Sequence, residues 1–103
     1  MSQHFCDSQF QGQPVVVILG WDRPLACFFM VVEKEGEEDE GIVYSNLNEK
    51  DAFKKPLGYF KKKLDDLGIK VPHSMFRQAE LDRDNGWNRR CFHDVDGEFG
   101  EVW

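Results

Sequence analysis

Val15-Val16-Val17-Ile18-Leu19-Gly20-Trp21-Asp22-Arg23-Pro24-Leu25-Ala26-Cys27-Phe28-Phe29-Met30-Val31-Val32 is the stretch that decides the fold of this chain. Two β-prone apolar runs flank a segment containing Gly, Asp and Pro, the pattern of a β-hairpin. Each run is apolar on both faces. In the second, Phe28, Met30 and Val32 fall on one side, and Cys27, Phe29 and Val31 on the other. Strands of this kind expect cover on both sides. A sheet with helices on one side alone would leave one set exposed. The surplus points to a partner surface, unless a further helix or the C-terminal tail folds over it.

Outward from the hairpin, residues 3–10 alternate weakly and read as a first strand. Gln11-Gly12-Gln13 breaks it from the second, which spans 14–20. Pro14 suits a strand's first residue because it has no N–H to give to a ladder. The third strand covers 25–33 and the fourth 42–46, across an acidic loop that holds Glu37-Glu38-Asp39-Glu40. Four strands with short links expect an antiparallel meander.

The period then changes. Leu57, Phe60, Leu64 and Leu67 share one face of a helix over 56–67, with Lys61, Lys62, Lys63, Asp65 and Asp66 opposite. Pro56 fits its first turn and Gly68 the left-handed position after its last. A second helix follows Val71-Pro72, with Ser74 as its cap, Met75, Phe76 and Ala79 on its apolar side, and Asn85-Gly86 as its end. A short strand is expected around Cys91-Phe92-His93, then a turn at Asp96-Gly97. Phe99, Val102 and Trp103 give the tail something to bury. The expected fold class is α+β: a four-stranded antiparallel meander followed by two helices packed on one face, in a single domain over 1–103.

Composition bounds the function. At 103 residues, 41% hydrophobic and 14% aromatic, the chain can fill one core. Its net charge of −6 repels phosphate backbones, and Lys61-Lys62-Lys63 and Arg89-Arg90 lack interleaved aromatics, so nucleic acid is not an expected partner. No apolar run reaches the roughly 20 residues of a membrane span. The N-terminus has no basic segment followed by an apolar one, and Cys6, Cys27 and Cys91 are odd in number. The expectation is a cytoplasmic protein with free thiols.

Few residues suggest chemistry. His4-x-Cys6 and Cys91-x-His93 could supply four metal ligands if the ends of the chain met, but structural zinc sites favour wider spacings. On strands, such pairs merely share a face, and no metal is expected. Cys27 sits in the most apolar stretch, where burial keeps a thiol inert. Asp94-Val95-Asp96-Gly97-Glu98 lacks the ligand series of a calcium loop. There is no glycine-rich phosphate cradle, so no cofactor and no catalytic residue are expected. Trp21, Asp22 and Arg23 are candidate binding residues because Trp and Arg combine large area with a polar handle. The alternative is structural: Trp21 packing over a sheet end and Asp22 accepting turn hydrogen bonds. Tyr44, Arg89 and Arg90 complete the candidate set.

Gly20-Trp21-Asp22-Arg23-Pro24-Leu25, Phe28-Phe29-Met30-Val31-Val32, Tyr44-Ser45-Asn46-Leu47, Leu67-Gly68-Ile69 and Val71-Pro72 also carry a resemblance. Over about residues 14–76 the chain resembles a family of small uncharacterised bacterial proteins sharing the Gly-Trp-Asp-Arg-Pro hairpin. That resemblance implies a bacterial cytosolic protein and assigns no activity, catalytic residue or cofactor. The functional expectation is a non-catalytic interaction or accessory module. It would bury an uncovered sheet face or the hairpin tip against a protein partner, a second copy of itself included. The alternative is a small-molecule-binding protein or minor enzyme, with Tyr44, Arg23 or His93 converging in a pocket between sheet and helices.

Overall fold

The computed structural model describes residues 1–36, 41–94 and 96–101. The acidic run Glu37–Glu40, and Val102 and Trp103 of the tail, lie outside the described residues. The chain is α+β, with one sheet and two α-helices. β1 (Gln3–Phe10), β2 (Gln13–Asp22), β3 (Cys27–Lys34) and β4 (Ile42–Ser45) pair in succession, each antiparallel to the next. This much matches the expected meander. Gln11 and Gly12 both take positive φ, 51° and 77°, so the β1–β2 connection is a two-residue turn whose twist suits a hairpin.

The short strand expected around Cys91-Phe92-His93 does form, and what is corrected is the sheet: the four-stranded antiparallel meander is part of a six-stranded mixed sheet ordered β4-β3-β2-β1-β5-β6. β5 (Arg90–His93) lies beside β1 and runs parallel to it, with His4 opposite Cys91 and Cys6 opposite His93. β6 (Phe99–Glu101) pairs antiparallel with β5 and forms the far edge. Parallel pairing needs a long crossover. Here everything from β4 to residue 89 supplies it, including both helices, so no local pattern announces the pairing.

α1 (Leu57–Leu67) and α2 (His73–Asn85) cover one face. Each ends on a glycine in the left-handed conformation, Gly68 and Gly86, whose N–H caps the last carbonyls. The cap before α2 is Pro72, not Ser74, which sits inside the first turn. Under the helices, Cys6, Val15, Val17, Leu19, Phe28, Met30, Val32 and Tyr44 meet Leu57, Phe60, Leu64, Ile69, Met75, Phe76 and Ala79 in one core. Complete burial of a side chain such as Leu64 or Met75 contributes about 1.5–3 kcal/mol. The molecule measures 36 × 33 × 23 Å, the thin dimension being one helix layer on one sheet.

Candidate functional site

The covered layer changes character along the sheet. Over β1 and β5 its filling is polar. Strand alternation points His4 and His93 into this layer from adjacent strands, two residues apart in register, and both are fully buried. Their rings meet edge to face, with His4 Nδ1 2.8 Å from His93 Nε2. α2 crosses above and adds a group at each end. Ser74, in the first turn, lies with its Oγ 2.8 Å from His93 Nδ1. Asp82, about two turns later, places Oδ2 2.6 Å from His4 Nε2. Arg89, from the segment between α2 and β5, donates its Nε to Asp82 Oδ1 at 2.6 Å and its Nη2 to Gln78 Oε1. Buried Ser2 adds a further hydrogen bond to Asp82. Phe99 of β6 stacks on the outer side of His93.

The hydrogens in this chain are ordered by its ends. Burial works to raise the Asp82 pKa, but hydrogen bonds from His4, Arg89 and Ser2 hold it below its ordinary value. The ionised carboxylate is an acceptor only, so His4 Nε2 carries a hydrogen toward it. Burial above all, with the Arg89 guanidinium nearby, pushes the His93 pKa down to about 4, so this ring is neutral near pH 7. For a neutral His4, the Ser74 hydroxyl donates to His93 Nδ1, and His93 Nε2–H donates to His4 Nδ1. One proton added to His4 reverses both bonds. Every buried side-chain nitrogen and oxygen among the described residues has a partner. Such completeness is what makes a buried polar cluster tolerable. The two sequence pairs, His4-x-Cys6 and Cys91-x-His93, do come together here. Their histidines bond each other and Asp82, and among the described residues no group is placed to hold a metal ion.

The opposite face of the sheet carries no α-helix among the described residues, and at its β3 end two short 3-10 helices, Asn46–Asn48 and Ala52–Lys54, pack against β3. Register puts Phe92, Phe5, Ile18 and Val31 in one row across β5, β1, β2 and β3. On one flank of this row lie Arg90, Gln3, Gly20 and Phe29; on the other, Asp7, Val16 and Glu33. Phe5, Val16, Ile18, Phe29 and Val31 are half-buried and Phe92 is 42% exposed. The Arg90 guanidinium lies 5.2 Å over the Phe5 ring. Gly20 is fixed by close approach: a Cβ there would come within 2.1 Å of the Ser2 carbonyl oxygen and 2.6 Å of the Phe29 ring. At one corner of this face, Leu25, Leu47, Phe53 and Met1 rim a cleft of about 270 Å³ floored by Cys27, Phe29 and Val31. Burial raises the Cys27 thiol pKa, and the thiol is free, like those of Cys6 and Cys91.

The candidate residues read from sequence fall in different places. Trp21 is half-buried against Phe28, with ring centroids 4.8 Å apart, and packs on the core. Asp22 Oδ1 accepts the Leu25 N–H in the hairpin turn. Arg23 is exposed at the tip, near Gly86. Tyr44 is buried at the α1 end of the core. Its hydroxyl donates to Glu49, as does that of Tyr59, and burial with the Glu49 hydrogen bond raises the Tyr44 pKa. Arg89 belongs to the histidine cluster and Arg90 to the open face. The alternative pocket residues Tyr44, Arg23 and His93 do not converge. Asp82 and Ser74 escaped notice as functional candidates. The available signal was Asp82 on the same helix face as Met75 and Ala79, a carboxylate on an apolar stripe.

No helix among the described residues is long and apolar enough to cross a membrane. Compared with protein-family models, curated proteins and solved structures, the chain finds no match.

Proposed function

We propose that this protein is a non-catalytic interaction module that works by burying the uncovered face of its sheet against a protein partner. The observation that carries this reading is the row Phe92, Phe5, Ile18 and Val31, with Val16 and Phe29 beside it. Contiguous apolar surface on a folded domain marks an interaction site more often than isolated exposed residues do. A central apolar row with charged residues at its flanks is also the usual anatomy of a protein interface.

The test uses a photo-crosslinking amino acid at Phe5 or Val31 on the sheet face, and at Arg77 on the exposed side of α2. The expected result is one protein adduct from the sheet-face positions alone. It should be competed away by unlabelled wild-type protein and lost when Ile18→Lys is added. Adducts formed equally from Arg77, or none from the sheet face, would overturn the reading.

A second reading rests on one observation. The order Ser74, His93, His4, Asp82 has the polarity that activates a nucleophilic hydroxyl, and Ser74 is partly exposed. Against it, Ser74 lines none of five clefts formed by the described residues. A fluorophosphonate probe decides: labelling abolished by Ser74→Ala supports hydrolytic chemistry, and an unlabelled wild-type protein ends it.

A further inference from the structure

Resting on the interaction reading, we infer that the partner on the open sheet face is a second copy of this chain, packed face to face about a two-fold axis that runs along the apolar row. The inference comes from how charge is laid out around that row. Arg90 stands on one flank, with its guanidinium held over Phe5, while Asp7 and Glu33 stand on the other. A homodimer interface is self-complementary, so the same patch must satisfy itself after a half-turn. Two half-turns keep the strands of both copies aligned when sheets pack face to face.

A half-turn about an axis parallel to the strands returns each flank to itself. It sets Arg90 of one copy over the Phe29 region of the other and leaves Asp7 and Glu33 beside like charges. A half-turn about the row exchanges the flanks. Phe5, Ile18, Val31 and Phe92 then each meet their own counterparts on the axis. The Arg90 side of one copy faces the Asp7 side of the other, with β1 and β5 only one strand spacing apart, about 4.8 Å. A guanidinium spans that offset easily. The second arrangement brings Arg90 and Asp7 together at the rim, leaves Glu33 beside the partner's Phe29, and keeps apolar side chains at the centre. Packed sheets lie about 10 Å apart, which the two aromatic and aliphatic layers fill between them. The corner cleft rimmed by Leu25, Leu47 and Phe53 stands over Cys27, Phe29 and Val31 of β3, so the contact is made chiefly by β5, β1 and β2.

Sedimentation velocity over a range of concentrations tests the inference directly. The wild-type protein should be a dimer at tens of micromolar, and Ile18→Lys should be monomeric with an unchanged far-ultraviolet spectrum. Arg90→Glu and Asp7→Arg should each weaken self-association by roughly tenfold or more, and an equimolar mixture of these two should regain a heterodimer. That rescue separates the proposed axis from any other dimer. If the dimer survives Ile18→Lys, or if the mixture behaves like the separate variants, the arrangement is wrong. A monomeric wild-type protein whose sheet face still crosslinks a different protein would overturn the second copy and leave the interaction reading standing. A monomer with no sheet-face adduct would overturn both. Should Ile18→Lys fail to fold, Val16→Lys repeats the test from the neighbouring position on the same face.

Discussion

The layer between sheet and helices is filled in two different ways. Over β2, β3 and β4, Val15, Val17, Leu19, Met30 and Val32 meet Phe60, Leu64 and Met75, and shape alone holds the parts together. Over β1 and β5 the same depth is occupied by His4, His93, Asp82 and Ser74, and hydrogen bonds hold them. The apolar half tolerates small shifts, because dispersion and burial have no direction. The polar half does not. A slip of one residue between β1 and β5 would turn His93 to the open face and strand His4 and Ser74 without their partners. The cluster therefore favours one register at the only parallel junction among the described strands, where alternation patterns give weak guidance. An apolar filling could be as stable without being as selective.

The sharpest way to break this contrast is to remove one member from each half. Asp82→Ala leaves His4 and Arg89 without their carboxylate inside the protein. Truncating one partner of a buried pair costs about 3–5 kcal/mol. Leu64→Ala leaves a cavity between α1 and the sheet and costs about 2–5 kcal/mol. The two should differ in kind as well as size. After Leu64→Ala, hydrogen exchange should stay slow at the β1–β5 ladder. After Asp82→Ala, amides of Cys91 and His93 should lose protection first. Urea unfolding with exchange mass spectrometry checks both. Equal loss of protection at β5 in the two variants would dissolve the distinction.

The same contrast explains what the sequence disclosed. Val15–Leu19 and Cys27–Val32 show their strand character locally, and Leu57, Phe60 and Leu64 show their helix, because each pattern repeats within a few residues. The doubly apolar hairpin also raised the question of what covers its second face, where Phe5, Ile18 and Val31 lie. The polar half had no such repeat. His4 and Asp82 are 78 positions apart, and His4 and His93 are 89 apart. Each looked ordinary alone: a histidine near the terminus, an aspartate on a charged helix. Only the crossover that lays β5 beside β1 makes them neighbours. The same crossover extends the four-stranded meander to six strands.

Acid should separate the halves next. His93 has its pKa lowered to about 4 from an ordinary value of 6.5, chiefly by burial. A base whose folded pKa is lowered binds protons better when unfolded, so stability is full above pH 6.5 and falls as pH drops toward 4. Over that window the loss is about 3 kcal/mol. Asp82, lowered relative to its ordinary value, acts with the same sign further down, where stability is lost as pH falls through its folded pKa. His93→Gln keeps hydrogen-bonding capacity toward His4 and Ser74 without a titrating ring. Urea midpoints between pH 7 and 4 should decline steeply for the wild type and stay nearly flat for His93→Gln over the upper part of that range. Parallel curves would mean that other groups set the acid limit.

The smallest effect belongs to Ser74, and it tests which way the polar chain runs. With a neutral His4, Ser74 donates to His93, and removing the hydroxyl leaves a ring nitrogen without a donor. Ser74 is only partly buried, so water can replace the lost hydroxyl, and Ser74→Ala should cost about 1 kcal/mol. The informative readout is the nitrogen-15 chemical shift of the His93 ring. A bare Nδ1 and a protonated Nε2 give well-separated signals. In the wild type, Nδ1 should be the unprotonated nitrogen, and it should shift further toward the free-acceptor value in Ser74→Ala. A protonated Nδ1 in the wild type near pH 7 would place the extra proton on His4, with Ser74 as acceptor. The chain would then already be in its reversed order, and the polar half would hold a buried cation that the apolar half never has to accommodate.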